Sequence, residues 1–308
     1  MSDQAGYSLV VPAAGAVLLP QLAETISLEA KVMGPPLKSS PDRQPNRQVR
    51  YGAASCDLSG YDASDWAWEF LRRNADYVAD WRRSVPRRLP CIILNDGTRL
   101  LRLPRRFPRA EKWGLAAFAD PALCARRAPV FWHAGAFKRL VRLRARLPVE
   151  GAAPPYRLSD FDAERRAIID AGRAPFVLMK GRGGHVALKI DGLSVLSRPF
   201  APVFELEGLD DLAGQSDLLR QLQRFREHEA TGSHRSPFAS DERLRHALIA
   251  LDESLDGKTY RQVAITIFGA KMVAEEWLGA SQFLKDRTRR LVAKGKELMD
   301  GGYRDFLG

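Results

Sequence analysis

Apolar residues recur at helical spacing along the C-terminal hundred residues of the chain. The pattern predicts one helix at about 211–229 and a second at about 241–255, behind a Ser240 cap. A short third helix should open at Thr259, because Thr259 and Gln262 stand at the spacing of a capping box. Gly269 suits its C-terminal end. A last helix follows a long turn, residues 269–280.

The last helix, within SQFLKDRTRRLVAKGKELMDGG, divides into an apolar and a basic side. The apolar side is formed by Leu284, Leu291, Gly295 and Leu298. Cations dominate the remainder, whereas a solvated helix usually mixes both signs. A basic helix behind a short capped helix is the layout of a helix-turn-helix DNA reader. The turn exceeds the usual 3–4 residues or so, which predicts an extended-turn variant or a different trihelical unit.

This layout predicts a set of DNA-binding residues. The N-terminal part of a recognition helix reaches base edges, and flanking cations meet phosphates. We therefore expect base contacts from Gln282, Lys285 and Arg289. At the start of the short helix, Gln262 lies where helix amides can also meet a phosphate. The remaining members are Lys258, Arg261, Arg287, Arg290, Lys294 and Lys296, mostly as phosphate contacts.

An aromatic stripe marks the segment WAWEFLRRNADYVADWRR. It is predicted to form one helix, capped at Ser64-Asp65, with its aromatic residues near helical spacing. Such a stripe usually faces a core, and aromatic residues are also enriched in partner contacts. Both readings hold if the partner is another domain of the same chain. The stripe consists of Trp66, Phe70, Tyr77 and Trp81.

The middle of the chain carries the β signals. PFVLMKGRGGHVALKIDG reads as two strands joined by a glycine-rich turn, and residues 203–206 as a third strand. Residues 137–146 read as a helix with a basic face. The fold class predicted is mainly α with a small antiparallel β-sheet and a C-terminal extended-turn helix-turn-helix domain. The predicted divisions are an unassigned, flexible region at 1–60, a small helical regulatory domain at 61–112, a connecting region with the sheet at 113–209, and the DNA-binding domain at 210–308.

Charge favours a polyanionic partner. The 308 residues carry a net charge of +11 and a pI of about 9.8, which favours nucleic acid first and an anionic membrane second. The cations also cluster, with seven and no acid between Arg126 and Arg146. A further group comprises Arg102, Arg105, Arg106 and Arg109. Clustering favours a binding surface over scattered charge.

Cysteines and the N-terminus favour the cytoplasm. Cys56, Cys91 and Cys124 are odd in number and far apart, so neither a disulfide framework nor a zinc site is expected. The apolar stretch at residues 9–23 is too short for a membrane helix, contains prolines and lacks preceding cations. We expect a cytoplasmic, nucleoid-associated protein without metal or cofactor.

Enzyme motifs fail on inspection. Gly257-Lys258-Thr259 imitates the end of a phosphate loop, but Asp252 stands where the motif needs glycine. The glycines at 181–184 precede a strand, not a helix. No histidine is followed by arginine at the His-x-x-Arg spacing of a tyrosine recombinase. We therefore expect no enzyme activity.

Four segments carry a resemblance to a known family. They are WAWEFLRRNADY, DPALCARRAPVFW, FGAKMVAEEW and SQFLKDRTRRLVAKGKELMDGGYRDFL. They resemble the FseA-like transcriptional activators of integrative and conjugative elements in proteobacteria, over most of residues 61–308. The resemblance implies an activator of excision and conjugative transfer. It also implies a basic DNA-binding face on the C-terminal domain, a second face that packs on the N-terminal domain, and an acidic antiactivator protein as a partner.

Other binding functions stay open beside this one. The chain could be a protein-binding regulator or antiactivator of the same fold, although such an antagonist should lose the basic helix or reverse its sign. It could also be an excision accessory factor that bends DNA at an attachment site. RNA polymerase is a further candidate partner of an activator. No membrane partner is expected.

Overall fold

Seven strands form one mixed sheet in the order β1-β2-β4-β5-β6-β3-β7. The structure is a computed structural model that describes residues 57–308 apart from 85–88, 150, 152–153, 171–174, 182–183, 193, 207, 209, 228–240 and 278–281. The predicted unassigned region at 1–60 therefore lies almost wholly outside the described residues. The strands are β1 Cys91–Ile93, β2 Arg99–Leu103, β3 Val141–Arg146, β4 Glu164–Asp170, β5 Phe176–Gly181, β6 Gly184–Gly192 and β7 Ala201–Glu205.

Eight α-helices are described around this sheet. They are α1 Ala63–Leu71, α2 Ala75–Arg82, α3 Pro108–Glu111, α4 Leu212–Glu227, α5 Asp241–Leu255, α6 Tyr260–Phe268, α7 Ala270–Glu276 and α8 Phe283–Met299. A 3-10 helix, Gly302–Leu307, follows α8. None of the helices in the described part of the chain has the length and apolar character needed to cross a bilayer.

The predicted fold class, mainly α with a small antiparallel sheet, is wrong. The hairpin of β5 and β6 is antiparallel as expected, but β2 pairs with β4 and β3 with β6 in parallel. Strand β2 joins a strand more than sixty residues further along the chain. Parallel strands are joined by a long crossover connection, so no turn motif in the sequence predicts which strands pair.

The helix predicted at 137–146 is wrong, because residues Val141–Arg146 form strand β3. Its residues alternate, with Val141, Leu143 and Ala145 buried and Arg144 and Arg146 exposed. Alternation is the period of a strand and not of a helix. The run of arginines between apolar residues was assigned the wrong period.

The aromatic segment forms two helices, where one was predicted. Asp62 caps α1, in place of the predicted Ser64-Asp65, and its side chain accepts a hydrogen bond from the Asp65 amide. Asn74 interrupts the run and caps α2, because its side-chain oxygen accepts from the amides of Asp76 and Tyr77 at 2.9 and 3.0 Å. Asparagine is among the most favoured capping residues, so it starts a new helix.

Both faces of the sheet are covered. One face, with Leu101, Leu178 and Ala187, packs with α1, α2, α5 and the end of α8 in a single core. The opposite face packs against Leu222 and Phe225 of α4. Helix α8, which carries most of the predicted DNA-binding residues, therefore rests on the same core as the N-terminal helices.

One cysteine departs from expectation. Cys124 is disulfide-bonded, so the expectation that no disulfide forms is wrong for this residue. Its partner lies outside the described residues. Cys91 is a free, half-buried thiol.

Candidate nucleic-acid interface

Helices α6, α7 and α8 form a trihelical unit at the end of the chain. The predicted capping box opens α6, with the Thr259 amide donating to Gln262 Oε1 at 2.9 Å. Gly269, at φ 88°, ends α6 and leads directly into α7. The predicted long turn therefore contains a helix of its own, Ala270–Glu276, and residues 278–281 lie outside the described residues. The extended turn is a helix between two helices.

Small apolar residues hold the unit together. Ala264, Val273 and Leu284, one from each helix, form one buried cluster. Val263 and Val292 form a second with Ala250 of α5. Close approach of this kind requires small side chains, and Ala264 is fully buried. Helix α8 is thus fixed from two sides and presents its remaining surface to solvent.

Spacing divides the cations of α8 into two stripes on either side of its buried face. The buried residues are Leu284, Thr288, Val292, Gly295 and Leu298. The first stripe lies on the flank next to Val292, which packs on α6, and consists of Lys285, Arg289 and Lys296. The second stripe lies on the flank next to Leu298, which packs in the core shared with α1, and consists of Arg287, Arg290 and Lys294.

The cations of the stripes are only lightly paired. Arg289 bonds to Asp286 at 3.3 Å and Lys294 to Glu297 at 2.7 Å, both as exposed pairs one turn apart. Exposed pairs contribute between about 0 and 1 kcal/mol, so phosphates can replace these carboxylates at little cost. Lys285 lies 6.0 Å from the Trp277 ring centre, and Arg287 4.8 Å from that of Phe268.

The residues at the start of α6 are more restrained. Lys258 pairs with Glu253 of α5 at 2.5 Å. The Gln262 oxygen is occupied by the capping box, which leaves its amide nitrogen to donate outward. Arg261 is exposed. Gln282 precedes α8 in the left-handed region, at φ 45°, a conformation that costs a non-glycine residue about 1 kcal/mol or more.

The predicted docking stripe lies mostly inside the protein. Trp66, Phe70 and Tyr77 are buried and Trp81 is half-buried. Phe70 alone of these has a described ring contact with the C-terminal segment, stacking on Phe306 with ring centres 6.2 Å apart. The Tyr77 hydroxyl donates to the Ala119 carbonyl at 2.7 Å. The stripe is therefore mainly core, with Phe70 at the junction.

Sequence reasoning missed the polar part of this junction. Arg73, whose side chain is fully buried, bonds to Asp252 of α5 through Nε at 2.5 Å and Nη2 at 2.9 Å. The Asn74 side chain donates to the Met299 carbonyl at the end of α8, at 3.3 Å. The only signal in the sequence was the position of Arg73 within an aromatic stripe, and this position does not indicate which residue it bonds to.

Glu69 is the hub of the same junction. Its carboxylate accepts from Arg72 Nε at 2.6 Å, from Arg73 Nη1 at 2.9 Å and from the Ala125 amide at 2.9 Å. Burial alone would raise the pKa of this carboxyl, but the two guanidinium groups and the amide hold its pKa below the ordinary value. The carboxylate therefore stays ionised inside the core.

Two family models match the chain, one toward each end. Residues 204–307 match the family described as a type VI secretion system (T6SS) transcription factor, DNA-binding domain. Residues 49–116 match the family described as a proteobacterial transcriptional regulator-like domain. No curated protein matches the chain.

Together these matches indicate a DNA-binding transcriptional regulator. The first covers α4 to α8 and every predicted DNA-binding residue, and the second covers α1 and α2 together with β1, β2 and α3. Double-stranded DNA is accordingly the partner that the C-terminal match supports. Regulator domains of these two kinds indicate a protein that acts by binding DNA.

Proposed function

We propose that the chain activates transcription by binding double-stranded DNA through α6 to α8, with α8 in the major groove. Gln282, Lys285 and Arg289 read base edges at the start of α8, as the residues of a recognition helix do. Phosphates on either side bind the second stripe and Lys296. At the start of α6 they bind Lys258, Arg261 and the Gln262 amide.

The observation that carries this proposal is the coincidence of two features. The DNA-binding family match spans residues 204–307, and the cation stripes of α8 lie within it on the two flanks of a fully packed face. Because the helix is packed, its backbone already holds the lightly paired cations of its flanks in position before DNA binds. Little conformational entropy of the backbone is therefore lost on binding.

Substitution of the first stripe tests the site. Lys285→Ala with Arg289→Ala should lower the affinity for a target duplex by roughly a hundredfold, since each lost contact costs about 1–3 kcal/mol. Fluorescence anisotropy of a labelled duplex measures the affinity. Both side chains are outside the buried face, so circular dichroism should show an unchanged fold.

A double variant on α4 is the matched control. Arg220→Ala with Arg224→Ala removes the same charge from an exposed helix far along the chain from α8. It should bind nearly as tightly as wild type. If the α8 variant bound as well as this control, the assignment of α8 as the reading helix would be wrong.

The genes that the protein regulates are a separate part of the proposal. The resemblance of its motifs to FseA-like activators supports excision and transfer genes of a mobile element. The description of the C-terminal family names type VI secretion instead, which supports a second set of targets. Chromatin immunoprecipitation with sequencing separates promoters of either set from an attachment site, where a DNA-bending excision factor would bind.

The proposed partners follow from the activator role. RNA polymerase is the partner that an activator recruits at a promoter, and an acidic antiactivator would bind the N-terminal domain. A protein that binds DNA and these partners would act at the chromosome, in the cytoplasm. Co-purification of tagged full-length protein with polymerase subunits, with and without promoter DNA, tests the first of these partners.

A further inference from the structure

A second basic surface lies outside the trihelical unit, around α3. It consists of Arg105, Arg106, Arg109, Lys112 and Arg304, all exposed, and is called the α3 patch below. Among the residues that the structure describes, two carboxylates bond to these five cations: Glu111 pairs with Arg106, and Asp80 with Lys112 at 3.3 Å. The patch therefore keeps an excess of positive charge.

Two members of the α3 patch have no carboxylate partner. Arg105 and Arg109 form no salt bridge with the residues that the structure describes, and Arg105 lies over the Phe107 ring at 5.7 Å. Arg109 is near enough to Asp80 to help lower the pKa of that carboxyl, but both guanidinium groups are exposed to solvent. Exposed charge pairs contribute only about 0–1 kcal/mol to stability, so an external anion is the better explanation for both cations.

Direct bonds join the α3 patch to the end of α8. Arg304 follows α8 in the 3-10 helix and donates to the Lys112 carbonyl at 2.7 Å. The neighbouring Tyr303 is buried, stacks on Trp132 with ring centres 6.3 Å apart, and donates to the Trp113 carbonyl at 3.1 Å. The patch is thus held by the C-terminal segment and cannot swing independently of it.

The second stripe of α8 runs toward this junction. Lys294 is three or four residues from Leu291 and Leu298, which belong to the core shared with α1. At the end of the same helix, the Met299 carbonyl accepts from Asn74 at 3.3 Å. Lys294 therefore lies on the flank of α8 nearest the N-terminal helices, whereas Arg287, at the other end of the second stripe, lies over Phe268 of α6.

We infer that the α3 patch binds phosphates of the same duplex that α8 engages. The inference rests on the proposed function and extends it from the C-terminal unit to the end of the region that matches the N-terminal regulator-like domain. DNA is favoured over an acidic protein because the patch is bonded to the segment that directly follows α8, the helix whose cations are already assigned to phosphates. Contacts of this kind add affinity and orientation without reading sequence.

A duplex of mixed sequence tests this inference, because phosphate contacts do not depend on sequence. The full chain is titrated against a labelled duplex of about 30 base pairs, and anisotropy is measured over a range of salt. Arg105→Ala with Arg109→Ala should weaken binding roughly tenfold at low salt, and should reduce the slope of log affinity against log salt by about 1.8, near 0.9 for each phosphate contact.

The α4 variant, Arg220→Ala with Arg224→Ala, again removes equal charge at another surface. It should leave the slope unchanged, so that a loss specific to the α3 patch is separated from a general change of net charge. Neither Arg105 nor Arg109 belongs to a salt bridge within the described part of the chain, and Arg220 and Arg224 are exposed, so thermal unfolding should give midpoints close to wild type for both variants.

The outcomes separate this inference from the proposed function. If wild type fails to bind the duplex at all, the proposed function is contradicted. If the Lys285 and Arg289 variant loses affinity but the α3 variant behaves like the α4 control, only the α3 inference is overturned. In that case, weaker capture of the α3 variant by immobilised polyglutamate would assign the patch to an acidic protein.

Discussion

At the scale of single residues, Glu69 is the strongest test of how the junction is held. Replacing it with glutamine leaves the guanidinium groups of Arg72 and Arg73 short of an anion inside the core. Breaking a buried ion pair costs about 3–5 kcal/mol, so Glu69→Gln should lower the free energy of unfolding by roughly that amount at pH 7. Urea denaturation followed by circular dichroism measures the difference. Glu227→Gln, at an exposed position on α4, is the control and should change little.

The same residue predicts a dependence on pH. The folded pKa of Glu69 lies below its ordinary value of 4.5, so its contribution is fully present above that pH and is lost as the pH falls through the lower folded value. In that acidic range the Glu69 carboxylate of the wild-type protein becomes protonated and loses its charge, so it is then neutral like the glutamine of the variant. The deficit of Glu69→Gln should therefore shrink on acidification below pH 4.5. A deficit that stayed constant from neutral to acid pH would show that the charge of Glu69 contributes nothing.

At the scale of elements, Gly295 fixes how closely α8 crosses α5. A Cβ at this position would lie 2.7 Å from the Ala247 carbonyl oxygen and 2.9 Å from the Leu251 Cβ. Gly295→Ala should therefore destabilise the protein by about 1–3 kcal/mol through overpacking, although alanine is normally the better helix former by about 1 kcal/mol. Thermal unfolding measures the change.

Ala293, on the exposed side of the same helix, provides the opposite case. Ala293→Gly should destabilise by about 1 kcal/mol, because only helix propensity acts there. Stabilisation by Gly295→Ala would mean that α5 and α8 are further apart than the structure has them.

The elements also show what local pattern can predict. The helices α4 to α6 and α8 follow from periodicity and from caps such as Thr259, because a helix is made of neighbours in sequence. Strands β2 and β4 could not be paired in the same way, since each finds its partner in a distant segment. Strand β3 failed for another reason: Arg142, Arg144 and Arg146 drew attention as a basic face and obscured the alternation.

In the candidate site, too, features within one helix could be predicted from the sequence, whereas contacts between distant segments could not. Charge and spacing were enough to place the cations of α8 outside its buried face, but not to divide them into two stripes. The bond of Arg73 to Asp252 joins residues 179 positions apart, so no spacing rule could have proposed it. What lies within one helix is readable from sequence, and what joins distant helices requires the fold.

At the scale of the whole molecule, the shared core predicts cooperative unfolding. Phe70 stacks on Phe306, and one core contains residues of α1, the sheet, α5 and α8. Five of the six tryptophans precede residue 134 and only Trp277 follows it, so fluorescence reports mainly the N-terminal part. Far-ultraviolet circular dichroism reports mainly the helices after the sheet. The two signals should change at the same temperature.

Weakening the junction should shift both transitions together. Phe306→Ala removes a half-buried ring at a cost of about 2 kcal/mol, which lowers the midpoint by roughly 4–8 °C for a protein of this size. Phe283→Ala is the matched control, since that ring is 62% exposed and should cost little. Separate midpoints for the two signals in wild type would contradict a shared core. If the two signals change together, and their midpoint falls for Phe306→Ala but not for Phe283→Ala, the N-terminal helices and α8 fold as one unit. A partner bound to the N-terminal helices can then alter α8.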